Sequence, residues 1–312
     1  MGFKLWRSAP APTPRASVVI PLYNHARFIA EAVESAIAQG DLVREIVVVD
    51  DGSTDESAVI MQGLCEREPR IVFWSQPNRG AHAAINAGLQ RATGDLVAIL
   101  NSDDAYLADR LPALVAALAS EPAADIAASG LAFVNEAGEA IDNPWYEAAR
   151  GFYRSCGDLA TALINGNFLM TTSNYLFRRS LLDEIGLFAP LRYMHDVDFG
   201  LRAIAAGKRF ALVDKPLLRY RMHGGNTIRE DHGQVRVEWA VVAASFLASW
   251  RGQRGPIDWN RMVAVTEVLQ RHELLPAVQL CMMYLSRHPS GTLEHSPLLA
   301  DQEFRAALRN CL

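Results

Sequence analysis

Acidic and amide side chains gather in this sequence at the ends of short apolar runs. Ser17-Val18-Val19-Ile20 leads into Pro21-Leu22-Tyr23-Asn24, and Glu45-Ile46-Val47-Val48-Val49 into Asp50-Asp51-Gly52-Ser53-Thr54-Asp55. Leu96-Val97-Ala98-Ile99-Leu100 leads into Asn101-Ser102-Asp103-Asp104. Carboxylates collected at one ligand-facing edge suit a hard divalent cation, and such a cation usually brings phosphate groups with it. Two later clusters extend the set: His195-Asp196-Val197-Asp198 and Arg221-Met222-His223-Gly224-Gly225-Asn226. Histidine is a borderline ligand that suits Mn²⁺ better than Ca²⁺. His223 is therefore a candidate cation or diphosphate contact, with Arg221 and Arg229 as further phosphate partners.

The elements that must position these groups follow from the pattern. Short β-branched runs bounded by turn residues are buried parallel strands, and ligands bind beyond the carboxyl ends of such strands. After the first run, Phe28, Ile29, Ala32, Val33, Ala36 and Ile37 make one helical face that ends at Gly40. A helix is expected near 56–67. A strand over 71–74 passes through Gln76-Pro77-Asn78-Arg79-Gly80 into a helix over 81–92. A helix over 106–118 would follow Asp103 and Asp104, which could serve as its N-caps. This alternation implies an α/β fold with a mostly parallel sheet between helices. Residues 125–129 and 131–135 are expected as two strands, 143–170 as a long functional loop with a short helix, and 196–206 as a helix. Residues 210–213 and 217–221 close the sheet. Beyond Gly225 the patterns are helical only: Val235, Trp239, Val242 and Phe246 share one face, and Trp259, Met262, Thr266 and Leu269 another. Turns at 252–256 and 288–291 separate these helices.

Composition narrows the class. The chain has 312 residues, half of them apolar, and a net charge of -5. It can bury a large core, and its charge argues against a nucleic-acid partner. Four cysteines without CxxC or zinc spacing point to reduced thiols and a cytoplasmic protein. Residues 1–16 have no apolar signal segment and read as a flexible lead. The apolar stretch at 239–250 is too short to span a bilayer, so a soluble or peripheral protein is expected.

Together these motifs, with Asn86-Ala87-Gly88, resemble family-2 glycosyltransferases of the GT-A fold over residues 17–226, leaving 227–312 as a helical C-terminal region. The resemblance implies a metal-dependent, inverting transfer from a UDP- or dTDP-sugar to a hydroxyl of a glycan or lipid-linked acceptor, in bacterial surface polysaccharide assembly. Asp103 matches the metal position of the family's DxD motif and, with His223, would hold Mn²⁺ or Mg²⁺; Asn101 stands where the family has its first Asp. Asp51 matches the base-binding position, Tyr23 would lie along the base, and Pro21 would offer backbone contacts. Asn24, Ser53, Asn78, Arg79, Gly80, Asn101 and Ser102 complete the expected nucleotide-sugar pocket. Asp196 is the expected general base, with Asp198 as its rival, although a salt bridge to Arg202 would also explain Asp198. His195 replaces the family's usual Glu and is a candidate acceptor contact, as are Trp145 and Tyr146, whose faces could meet sugar rings. The helical tail would shape the acceptor site, form a homodimer or touch a membrane. A sugar nucleotidyltransferase is disfavoured, because Pro-Leu-Tyr-Asn stands where a Gly-rich basic loop is needed. A binding or assembly module on a degenerate transferase domain is the other alternative.

Overall fold

A computed structural model describes residues 13–249, 258–287 and 295–312. Most of the expected flexible lead, the turns at 252–256 and 288–291, and the side chain of Arg229 lie outside the described residues. The first half alternates as its pattern requires: β1 (Ala16–Leu22), α1 (Ile29–Ile37), β2 (Val43–Asp50), α2 (Ser57–Arg67), β3 (Ile71–Ser75), α3 (Ala81–Arg91) and β4 (Leu96–Ile99). These four strands are parallel, in the order β3-β2-β1-β4. Register places Val19 beside both Val47 and Ile99.

Successive strand residues face opposite sides, and here both sides are buried. Val18, Ile20, Ile46 and Val48 pack with Ile29 and Val33 of α1 and Met61 of α2. Val19, Val47, Val49 and Ile99 pack with Ile85 and Leu89 of α3 on the other face. Helix α3 lies close on the sheet because Gly88 has no side chain, and a Cβ there would collide with Val19.

The second half is mixed. After β5 (Ala105–Tyr106) and α4 (Arg110–Ser120) come β6 (Ala124–Val134), β7 (Ala140–Ile141), α5 (Pro144–Cys156), α6 (Leu159–Asn165), β8 (Leu176–Arg178), α7 (Leu181–Ile185), α8 (His195–Ala205) and β9 (Arg209–Arg221). The sheet continues β4-β8-β6-β9-β5, with β8 antiparallel to both neighbours and β6 parallel to β9. Strands expected in pairs, at 125–135 and 210–221, are each a single kinked strand. Gly130 and the Asp214–Pro216 stretch face each other and absorb the break as a register shift. The expected loop at 143–170 is mostly two helices, capped by Asn143 Oδ1 and Asp158 Oδ2.

The C-terminal helices α9 (His232–Ser249), α10 (Trp259–Arg271), α11 (Leu275–Arg287), α12 (His295–Ala300) and α13 (Gln302–Asn310) pack into the same core as α6 and α8. Val241, Val265, Val278 and Leu308 are all in that cluster with Leu163 and Phe199. No helix among the described residues is long and apolar enough to cross a membrane.

Candidate active site

The loops after β1 and β2 are stitched into one surface. Asn24, held at φ 52°, accepts from Thr54 N–H at 2.8 Å through Oδ1, while its own N–H donates to Ser53 Oγ at 2.9 Å. Pro21 is buried opposite Val49, and Tyr23 is 46% exposed. Asp51 is buried, and its carboxylate accepts from Gln76 Nε2 at 2.8 Å, Arg79 N–H at 3.0 Å and Gly80 N–H at 2.7 Å. It thus holds the loop that opens α3, where the first N–H groups of a helix lack partners. Gly52 makes the turn possible: its φ is +79°, and a Cβ would sit 3.1 Å from Asn78 N. Asn78 and Arg79 are exposed beside it.

Asp103, beyond the end of β4, meets His223, beyond the end of β9, with Oδ2 and Nε2 2.9 Å apart. His25, in the loop after β1, completes a cluster in which one ligand atom of each residue lies within 4.8 Å of the others. Ser102 Oγ lies 2.8 Å from His25 Nδ1, and the Phe28 ring packs against both imidazoles, at 5.8 and 5.4 Å. Burial opposes charge on Asp103, but the His223 hydrogen bond and the two imidazoles outweigh it and hold the carboxyl below its usual range. Burial, the largest influence on His25, lowers its pKa and favours the neutral ring.

Asp104 is the hub behind this cluster rather than a helix cap. Helix α4 starts only at Arg110. Buried Asp104 accepts from Ser173 Oγ at 2.6 Å and from Arg221 N–H at 3.1 Å, so it ties the β9 end to the segment before β8. Burial and the neighbouring Asp103 raise its pKa well above the carboxylate range. Arg221 is buried too, donating to the Asp103 carbonyl at 3.0 Å and pairing with Glu31 at 2.5 Å. It is thereby committed to structure.

Asn101 is equally committed. Its Nδ2 donates to Thr171 Oγ1 at 2.9 Å and its Oδ1 accepts from Thr172 Oγ1 at 3.0 Å. The segment that binds Asn101 also reaches Asp196, because Asn167 Nδ2 donates to Asp196 Oδ2 at 2.7 Å. Asp196 opens α8 and is 6% exposed. Burial raises its pKa to about 7, against the pull of Val197 N–H and Asn167; Asp198 adds a smaller rise. Asp198 itself is buried against Arg202, Oδ2 to Nε 2.8 Å.

The loop ahead of α8 is anchored from the C-terminal region. Glu238 of α9, 3% exposed, accepts from the N–H groups of Arg192 at 3.1 Å, Tyr193 at 2.8 Å and Met194 at 3.1 Å. From the other side Asn86 of α3 exchanges two hydrogen bonds with the Phe188 backbone, at 2.8 and 2.9 Å.

A family model described as glycosyl transferase family 2 matches residues 17–186. The chain belongs to this family. A glycosyltransferase of Nostoc sp. is 31% identical over 218 residues, covering 68% of this chain and 66% of the relative. The chain thus spans just under two thirds of that relative's length. The fold is similar to that of TarS from S. aureus, solved with UDP-GlcNAc: TM-score 0.61, 19% identity, covering 91% of this chain and 78% of that one. It is similar also to the mannosyltransferase PcManGT of Pyrobaculum calidifontis, solved with GDP-Man and Mn²⁺: TM-score 0.59, 22% identity, covering 99% and 88%.

Against the expectations for this family-2 glycosyltransferase, three acceptor candidates separate. Trp145 is 53% exposed and lies on Gly166, whose Cβ would come 3.1 Å from the indole. Tyr146 is instead 2% exposed, packs on Phe133 at 4.9 Å, and accepts from Leu131 N–H at 3.0 Å, which corrects its reading as a sugar platform. His195 turns onto Phe188 at 6.1 Å, with Nδ1 buried and unbonded among the described residues. Burial first, then His82, lowers its pKa to about 4. The His195 ring thus packs on Phe188. Sequence reasoning missed His25 and Glu238. His25 directly follows Pro-Leu-Tyr-Asn at a strand end, a signal that was available; Glu238 stands in an apolar helix and offers none.

Proposed function

We propose that the protein transfers a sugar with inversion from a nucleoside-diphosphate donor, a UDP- or dTDP-sugar, to a hydroxyl of a glycan or lipid-linked acceptor, with Mn²⁺ or Mg²⁺. The observation that carries this reading is the meeting of Asp103 and His223 at the ligand-facing edge of the sheet, in loops continuous with those of β1 and β2. The donor set fits a divalent cation, because a carboxylate and an imidazole converge with few competing internal bonds. Asp103 and His223 would hold the ion, which when bound neutralises charge on the leaving diphosphate. Tyr23, Asn24, Ser53, Asn78, Arg79 and Gly80, on the framework set by Asp51, would line the nucleotide side. Pro21 and Ser102 support it from beneath.

Asp196 would act as general base. It would take the acceptor hydroxyl proton as the oxygen attacks the anomeric carbon and the bond to the diphosphate breaks. A base works best with a pKa near the working pH, and burial brings Asp196 to about 7. Asn167 Nδ2 holds one carboxylate oxygen at 2.7 Å and the Val197 N–H the other at 2.8 Å, so the group is oriented from both oxygens. Trp145 would offer its face to an acceptor sugar. A place at the cytoplasmic face of a cell membrane, in bacterial surface-glycan assembly, suits a lipid-linked acceptor.

The test is a melting-temperature panel of UDP, dTDP, GDP and CDP with Mn²⁺, Mg²⁺ or neither, followed by assay of nucleoside-diphosphate release from the matching sugar donors. A ligand that binds the folded state alone raises its melting temperature. A cation-dependent shift with one nucleotide, and turnover of its sugar that Asp196→Asn abolishes, is the expected result. Absence of any shift would sink the donor site. Binding without hydrolysis or transfer would favour the degenerate assembly module, a reading to which the internally bonded Asn101 lends support.

A further inference from the structure

We infer that His25 is a third protein ligand in the cation site of Asp103 and His223, giving a donor set of two imidazoles and one carboxylate that prefers first-row transition ions to Mg²⁺. The inference rests on the reading that this edge of the sheet holds a cation. It goes beyond that reading by adding a residue and by choosing between the two metals.

Three separate loops deliver the three groups, and one ligand atom from each lies within 4.8 Å of the others. His25 is held there by its own backbone and by its ring. Its N–H donates to Ser57 Oγ at 3.1 Å, and Asn24 before it takes the left-handed conformation that turns the chain toward the cluster. Ser102 Oγ engages Nδ1 at 2.8 Å. Ligating histidines are oriented in this way, one ring nitrogen bonded to the protein and the other left for the metal. Phe28 packs against the His25 and His223 rings together and fixes their mutual position, with centroids 5.7 Å apart.

A purely structural His25 would need only Ser102 and Phe28. That account leaves the second ring nitrogen, and the closeness to both Asp103 and His223, without a reason. Donor chemistry then sets the metal. Mg²⁺ demands oxygen ligands and keeps its water, whereas imidazole suits later transition ions, whose affinity rises from Mn²⁺ through Co²⁺ to Ni²⁺.

The experiment measures binding of the metal alone to the full chain. Free Mn²⁺ is followed by electron paramagnetic resonance, with Mg²⁺ and Co²⁺ as competitors, for wild type, His25→Ala, His25→Gln and His223→Ala. The expected result is tighter binding of Mn²⁺ and Co²⁺ than of Mg²⁺, and a loss of more than about tenfold in Mn²⁺ affinity for each His25 variant, since even a ligand's supporting partner is worth that much. Should a variant fail to fold, nitrogen couplings on Mn²⁺ bound to the wild type count the imidazoles directly, two being expected. Wild-type affinity in a folded His25 variant, or one coupled imidazole, overturns the third ligand and leaves the proposed function standing. No cation binding by the wild type would overturn the cation reading itself.

Discussion

Asp51 and Glu238 perform the same physical task at two different loops of the molecule. Each is a buried carboxylate that gathers backbone N–H groups from a loop leading into a helix: Asp51 from Arg79 and Gly80 before α3, Glu238 from Arg192, Tyr193 and Met194 before α8. Asp51 comes from a strand end within the parallel half and holds the proposed nucleotide side. Glu238 comes from a helix outside the family match and holds the proposed base. The family model ends at residue 186, yet α8 and its anchor lie beyond it. The loop that opens α3 is therefore held from within the parallel half, while the loop before α8 is held both by Asn86 of α3 and by Glu238 of the C-terminal helices. These helices thus hold the loop that leads to the proposed base as well as covering the core.

The largest expected effect separates the two halves by chemistry. Asp196→Asn removes the base and should lower kcat by about 10²- to 10⁴-fold, leaving nucleotide affinity unchanged in calorimetry. The same variant should gain stability in a defined pH window. Burial raises the Asp196 pKa to about 7, so between the unfolded carboxyl pKa and about 7 the native state binds more protons than the unfolded state. Stability then falls as pH rises through this range, by ~1.4 kcal/mol for each pH unit crossed. Asn cannot ionise, so the variant should melt above wild type at pH 8 and together with it near pH 3. Equal melting temperatures at both pH values would refute the raised pKa. Wild-type kcat/KM should climb with pH through about 7 for the same reason.

The next effect tests the comparison directly. Asp51→Asn and Glu238→Gln keep shape but replace one accepting oxygen with an NH₂ group that donates and cannot accept. Each should cost about 1–3 kcal/mol of stability from N–H groups left unsatisfied in a buried place. Their kinetic signatures should differ: Asp51→Asn should weaken nucleotide binding, and Glu238→Gln should lower kcat while nucleotide affinity holds. If Glu238→Gln weakens nucleotide binding as much as Asp51→Asn does, the two halves are not separately supported.

The same contrast governs what could be read in advance. Strands β1, β2 and β4 carry short apolar, mostly β-branched runs (Val18–Ile20, Ile46–Val49, Leu96–Ile99), and the burial of these runs on both faces follows from the pattern. The gaps at Gly130 and 214–216 separate what the pattern reads as two strands each, because the sequence of one strand does not reveal a partner that kinks beside it. β8 has three residues, Leu176–Arg178, too few for any periodicity. Asp103 and His223, 120 positions apart, met only because a motif resemblance linked them. Asp104 looked like a helix cap, since its partners Ser173 and Arg221 are distant in sequence. Glu238 reads as one charge in an apolar helix, and only tertiary structure supplies the three N–H groups that it meets.

Trp145 and Tyr146 carry the comparison down to neighbouring residues with opposite fates, and to the smallest expected effects. The Tyr146 hydroxyl accepts from Leu131 N–H at 3.0 Å in the core. Tyr146→Phe should therefore lower stability by about 1 kcal/mol, read as a fall in melting temperature, with unchanged kinetics. Trp145 packs on Gly166, one residue before the Asn167 that holds Asp196. Trp145→Ala should leave melting almost unchanged, because the ring is already 53% exposed. It should raise the acceptor KM several-fold if the ring stacks on a sugar, and leave donor hydrolysis untouched. An unaltered acceptor KM would move the acceptor away from α5 and leave Asn167 and Asp196 as the parts of the acceptor side still supported by geometry.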